Sequence, residues 1–257
     1  MEAWQKEILN SFTNKQDPID FLLTHQSREY MYHVSPVRSN LLAWYPFKEN
    51  MRVAEINSGT GALGTMIVPY VKEYTCVEKD PDLQLIAKIR YKDYKNVDYC
   101  SELDPAKKYD VIIVTGDYRL EEIKNYIAST SILLLAFDNP LSLSRLSGNI
   151  SYEEKAPYEA LEAGKGITKK AMCAFLERYN CSYTFYYPYP DYIFTKEIYS
   201  DGHLPKLGDL YGYSYDYKEN ETMSFDENKV RNLILKEEKY PEYANSYLVE
   251  VKCHAVL

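Results

Sequence analysis

The sequence predicts an α/β fold built on a doubly wound, mostly parallel sheet. Three observations predict it. Short apolar runs recur at Arg52–Ile56, Tyr74–Val77, Tyr109–Val114 and Ile132–Phe137, and such runs suit strands covered on both faces. Helical patterns alternate with them, as βα units require. The first run ends in a turn, Asn57-Ser58-Gly59-Thr60-Gly61, that is rich in residues tolerant of unusual backbone angles.

Taken in order, residues 1–48 read as helical and irregular. Trp4 to Phe12 is amphipathic, and Asp17-Pro18 opens a second helix through Phe21, Leu22 and Leu23. Ser35 can cap a third, with Pro36 at its first position, running to about Tyr45. The first strand, Arg52–Ile56, leads through the glycine turn to a helix over Gly61–Tyr70, shortened by Pro69. Tyr74–Val77 is the second strand, and Asp80-Pro81 starts a helix through Leu83, Leu85, Ile86 and Ile89. Asn96–Cys100 is a short third strand, Tyr109–Val114 the fourth, Leu120–Ile127 a helix and Ile132–Phe137 the fifth strand. Residues 139–166 have weak periodicity and read as a long loop or lid. Thr168 caps a helix through Ala171, Phe175 and Leu176, and Ser182–Tyr187 and Ser246–Lys252 are the final strands. Between them lies a Pro-, Tyr- and Gly-rich insertion at about 188–243. The expected organisation is a helical cover over 1–48 and an α/β domain over 49–257 with that insertion.

The chain has 257 residues and a formal net charge of −8, with no dense basic run, which argues against a grip on nucleic-acid phosphates. Its longest apolar run, Ile132–Phe137, is far too short to span a bilayer. No basic-then-apolar leader opens the sequence. Cys76, Cys100, Cys173, Cys181 and Cys253 form no C-x-x-C pair and read as reduced thiols of a cytoplasmic protein. His25, His33, His203 and His254 have no metal-ligand spacing with them, so no zinc site is expected. The 27 tyrosines, concentrated after residue 180, suit core packing, an acceptor surface or a homodimer interface.

Gly59-x-Gly61-x-x-Gly64 satisfies the dinucleotide fingerprint, so NAD or FAD must be weighed. Glu78, after the second strand, could hold ribose hydroxyls in either kind of site. Glu55 separates the readings. A carboxylate just before the turn would repel a pyrophosphate, whereas S-adenosyl-L-methionine carries an ammonium and a sulfonium that it would favour. The residues therefore point to S-adenosyl-L-methionine.

Val53 to Gly61 resembles the E-x-G-x-G-x-G signature of the class I S-adenosylmethionine-dependent methyltransferases, with Asn57 in place of the first glycine. Cys76-Val77-Glu78-Lys79-Asp80 is similar to the acidic end of that family's second strand, and Ser101-Glu102 stands where the family contacts adenine. Tyr109–Tyr118 resembles its fourth strand and active-site edge, including Thr115 and Asp117. The resemblance covers roughly 35–187 and the last strand. It implies a Rossmann-like sheet with an antiparallel C-terminal addition, and a cofactor site of Arg38, Glu55, Asn57, Ser58, Gly59, Gly61, Glu78, Lys79, Ser101, Glu102 and Thr115. Ser35–Leu42, Asn139–Leu143 and Tyr186–Tyr192 further resemble a bacterial group associated with surface-polysaccharide biosynthesis. The segment after Asn139 departs from that group, lacking its acidic-His element near Gly148.

Methyl transfer to oxygen benefits from a base. Asp117 and His33 are the candidates, with Asp138 at the end of the fifth strand a third. The expected function is methyl transfer to a small-molecule or glycan acceptor, at oxygen. A noncatalytic cofactor-binding module of the same fold stands as the alternative, and an NAD-dependent dehydrogenase is third.

Overall fold

The computed structural model describes residues 1–116, 118–127, 130–149, 158–162, 166–211 and 224–252. Its strands are β1 (Arg52–Ile56), β2 (Glu73–Val77), β3 (Val97–Cys100), β4 (Tyr109–Thr115), β5 (Thr130–Asp138), β6 (Ser182–Tyr189), β7 (Glu197–Ser200) and β8 (Ser246–Lys252). Among the described residues they form one sheet in the order β3-β2-β1-β4-β5-β8-β6-β7. β1 runs parallel to β2 and β4, and β2 to β3. β6 is antiparallel to both β7 and β8. This is the Rossmann-like sheet expected, mostly parallel with antiparallel C-terminal strands. β7 lengthens the antiparallel part beyond the two strands the sequence suggests.

The chain divides into two compact units. One comprises Met1–Thr115 and Asn125–Leu133, the other Gly116–Lys124 and Leu134–Leu257. In the first, Val53, Tyr74, Val111 and Ile113 are buried, as strands covered on both faces must be. Three helices precede β1: α1 (Ala3–Thr13), α2 (Pro18–Thr24) and α3 (Arg28–Val34). Glu2 and Gln5 make a capping box for α1, Asp17 accepts from two N–H groups of α2, and Ser27 caps α3. Ile8, Phe21 and Val34 pack with Ile86 of the helix after β2, α4 (Pro81–Arg90).

Two predicted helices of this unit differ. The one from Ser35 is a 3-10 turn, Pro36–Leu41. Ser35 caps it as expected, but Ser39 turns its hydroxyl back to Pro36 O at 2.7 Å, and Ser39 and Asn40 are poor helix formers. The helix expected over Gly61–Tyr70 is two short 3-10 turns, Leu63–Met66 and Val68–Tyr70. Gly64 and Pro69, with Thr65, Ile67 and Val68 between them, oppose a continuous α-helix. No separate helix is expected over Arg28–Val34, where α3 forms, although Ser27 and the Tyr30/Val34 spacing carry its signal.

In the second unit, the expected loop after residue 139 contains α6 (Leu143–Ser147), capped by Ser142 and ended by Gly148 at φ +106°. α7 (Glu159–Glu162) and α8 (Lys169–Arg178) follow α5 (Leu120–Ile127) and α6 in the chain. The insertion contributes β7, α9 (Glu227–Lys236) and α10 (Tyr240–Tyr243). Of the tyrosines considered for an acceptor surface, Tyr187, Tyr189 and Tyr192 are buried, so packing is their use. Tyr211 is 74% exposed, and Tyr213, Tyr215 and Tyr217 lie outside the described residues. Asn139 is buried at the end of β5, where its side-chain amide donates to Glu242 O at 2.8 Å and Ala244 O at 2.9 Å. No helix of the described residues is long and apolar enough to cross a membrane.

Candidate cofactor site

The site is built where β1 ends. Asn57, Gly59 and Gly61 have φ of +57°, +55° and +78°, so every second residue of the turn is left-handed. Asn is among the few residues besides glycine that accept this, and Asn57 Nδ2 also donates to Thr115 O at 3.4 Å. Gly61 has a second reason to be glycine, and Gly64 shares it. A Cβ on Gly61 would lie 2.6 Å from the Tyr91 ring, and one on Gly64 would lie 2.4 Å from Tyr74 Oη.

Glu78, just past β2, braces the turn. One carboxylate oxygen accepts from Gly59 N–H at 2.8 Å and the other from Asp80 N–H at 2.9 Å. Each oxygen keeps a further lone pair for an outside donor. Asp80 in turn caps α4, accepting from Asp82 N–H at 2.8 Å.

Glu55 faces the other way, into the protein. It is 2% exposed and accepts from the Tyr74 hydroxyl at 2.5 Å. Burial raises its pKa from 4.5 to about 7, against the pull of the Tyr74 hydrogen bond and the nearby Arg38 and Arg90 charges. Arg38 is buried, with its guanidinium 4.4 Å from the centre of the Tyr32 ring.

His33 ends up beside the turn, its ring within 3.7 Å of where a Gly59 Cβ would be. Trp4 stacks on it at 4.7 Å, Tyr32 meets it edge-on, and Thr60 Oγ1 lies 3.4 Å from Nδ1. Burial, reinforced by Arg38 and Arg90, lowers its pKa to about 3, so the ring is neutral at ordinary pH.

Among the other predicted cofactor residues, Ser58 and Thr115 are buried at the ends of β1 and β4. Lys79, Ser101 and Glu102 are exposed, in the loops after β2 and β3. Asp117 lies outside the described residues. Asp138, in the second unit, pairs with Arg145 at 3.1 Å. Among the described residues no three His, Cys, Asp or Glu side chains are placed to hold a metal.

Sequence reasoning missed Arg90 and Tyr91. They stand 12 and 13 positions after Glu78, outside any motif, yet both bond to the glycine turn. Arg90 Nε donates to Thr60 O at 2.8 Å, and the Tyr91 hydroxyl donates to Gly61 O.

No family model matches the chain, and no curated protein matches it. Solved structures do. A dimethyladenosine transferase from Plasmodium falciparum superposes with a TM-score of 0.45 at 13% identity, covering 86% of this chain and 61% of that one. The CurJ carbon methyltransferase gives 0.47 at 12%, covering 94% and 62%. The plantazolicin methyltransferase BpumL, in complex with SAH, gives 0.45 at 12%, covering 98% and 91%. The chain thus spans about three fifths of the length of the first two. The fold assignment rests on the strand order rather than on these scores.

Proposed function

We propose that this chain binds S-adenosyl-L-methionine and transfers its methyl group to an oxygen of a small-molecule or glycan acceptor. One observation carries the choice of cofactor: the Gly59 N–H is taken by the Glu78 carboxylate. In a dinucleotide site the turn offers free N–H groups and a helix N-terminus to a pyrophosphate. Here the turn carries an anion at its mouth, and a four-residue 3-10 turn follows it. A pyrophosphate would be repelled, while a cofactor with two cationic groups and no phosphate would not. The remaining lone pairs of Glu78 suit ribose hydroxyls.

The cofactor supplies a methyl group on a sulfonium, displaced in line by the acceptor. The chain's part is to orient both, keep water out and take a proton. His33 is enclosed by Trp4, Tyr32 and Gly59, which suits it to shaping the pocket wall. Proton removal then falls to Asp117, past the end of β4. Arg38, Asn57, Ser58, Gly59, Gly61 and Thr115 form the floor under the cofactor. Lys79, Ser101 and Glu102 line its ribose and adenine side. The net charge of −8 favours acceptors without a phosphate backbone.

A second reading, a noncatalytic module that only binds the cofactor, draws support from the enclosure of His33 and the pairing of Asp138 with Arg145. Calorimetric titration with S-adenosylmethionine, its demethylated product and NAD tests the cofactor. Binding of the first two alone is expected, and NAD binding alone overturns the proposal. Turnover against a library of hydroxylated metabolites and glycans separates enzyme from module.

A further inference from the structure

Arg90 closes α4 and lies outside the turn that it serves. Its Nε donates to Thr60 O at 2.8 Å, and its Nη2 donates to His33 O at 2.5 Å. The Thr60 hydroxyl donates to the same His33 carbonyl at 2.9 Å. On its other side the guanidinium carbon lies 4.2 Å from the centre of the Phe12 ring, on α1. One side chain therefore joins the glycine turn, the end of α3 and α1. The next residue, Tyr91, adds its bond to Gly61 O, so two consecutive carbonyls of the turn are held from one helix end.

A turn with left-handed residues at 57, 59 and 61 needs such help. Gly59 and Gly61 reach many backbone conformations at little cost, so the turn keeps one shape only if its peptide planes are fixed from outside. A guanidinium suits this task because its donors are rigid and coplanar, whereas an ammonium supplies a single flexible point. An arginine in the last turn of a helix ordinarily serves its own helix carbonyls or water. Arg90 instead serves carbonyls 57 and 30 positions away in sequence.

We propose that Arg90 is a positioning residue for the cofactor turn. It fixes the Thr60 peptide against the end of α3 and against α1, so the turn and the N-terminal helices answer cofactor binding together. The cofactor named is that of the function proposed above; the coupling of turn and helices stands apart from it.

The test compares the wild-type protein with R90Q, R90K and F12A, by titration with S-adenosylhomocysteine and by amide hydrogen exchange. In R90Q the affinity should fall about tenfold or more, as loss of charge-assisted hydrogen bonds implies. Exchange should quicken in 57–61 and in 3–13 together. R90K, which can still reach one carbonyl, should recover part of the affinity, and F12A should shift both readouts the same way by less. A folded R90Q with wild-type affinity and faster exchange only in 3–13 overturns the proposal, because a merely structural role would do that. If R90Q does not fold, R90K decides, and wild-type affinity there overturns it. If the wild-type protein binds no S-adenosyl compound, the cofactor reading fails by itself. Exchange at 57–61 then decides the clasp, and equal rates in R90Q and wild type overturn it.

Discussion

The Tyr74 hydroxyl donates to the Glu55 carboxyl at 2.5 Å, and neither side chain reaches solvent. Glu55 stands two residues before Asn57, where the glycine turn begins. Burial holds the Glu55 proton up to about pH 7, whereas an unfolded chain releases it near 4.5. The native state therefore binds more protons across that window, and the Glu55 contribution to stability is lost as pH rises through it. The difference corresponds to about 3 kcal/mol. Glu55→Gln keeps an acceptor for Tyr74 and cannot ionise. Its stability relative to wild type should grow by about that amount from pH 5 to pH 8, read by urea unfolding. A flat difference would show that Glu55 is ionised in the fold throughout. His33 acts with the opposite sign: its pKa falls from 6.5 to about 3, so its contribution is lost as pH falls through that range. The two oppose each other in wild type, which is why the difference between proteins is the quantity to measure.

Gly64 lies against the same tyrosine, Tyr74, and against Tyr91. A Cβ there would meet Tyr74 Oη at 2.4 Å and Tyr91 Oη at 2.7 Å, and both rings are buried. Gly64→Ala should destabilise the protein by roughly 1–3 kcal/mol through overpacking. Tyr74→Phe, added to it, removes the nearer oxygen and should recover part of that loss. A Gly64→Ala protein as stable as wild type would mean that the rings move aside freely.

Much of this was legible in the sequence, for identifiable reasons. β1, β2 and β4 declare themselves because strands covered on both faces are apolar throughout, and Asp17, Ser35, Asp80 and Thr168 were recognised as helix starts because their side chains cap. Asn57 was expected to keep a glycine-like turn, and its φ of +57° does so. The direction of Glu55 was not legible. Its place before the turn suggests a side chain facing a cation, but strand alternation turns it toward Tyr74, and only the packed neighbours reveal that. Arg90 was hidden for a similar reason, since its partners are main-chain carbonyls and leave no residue pattern. β7 and α9 were hidden in a stretch where prolines and tyrosines mask the usual periods.

Glu78 has two duties. Its carboxylate accepts from Gly59 and Asp80 N–H groups, and it is also the proposed ribose ligand. Glu78→Ala should weaken S-adenosylhomocysteine binding by roughly 1.5–3 kcal/mol, the worth of hydrogen bonds to a charged group. Glu78→Gln retains one acceptor oxygen, so it should lose less. Adenosine alone should show the same loss, since the ribose is common to both. Unchanged affinity in a folded Glu78→Ala protein would sink the assignment.

The second unit buries an ion pair on α9. Glu227 and Arg231 stand one turn apart on α9, 1% and 5% exposed, with Arg231 Nη2 donating to Glu227 Oε1 at 2.6 Å. Asn149 Nδ2 approaches the other carboxylate oxygen at 3.3 Å, and Arg231 Nη1 donates to Asn228 Oδ1 at 2.7 Å. The guanidinium lies 5.7 Å from the Tyr189 ring centre, which ties α9 to the end of β6. Desolvating two charges costs about what their attraction returns, so the pair itself adds little net stability, but a lone survivor is expensive. Arg231→Met should therefore cost about 3–5 kcal/mol by leaving Glu227 buried without its cation. Adding Glu227→Gln removes the stranded charge and should restore a large part of that. Unfolding curves of the two single variants and the double variant measure the coupling directly. Strict additivity would mean that water reaches Glu227, and the pair would then be an ordinary surface contact.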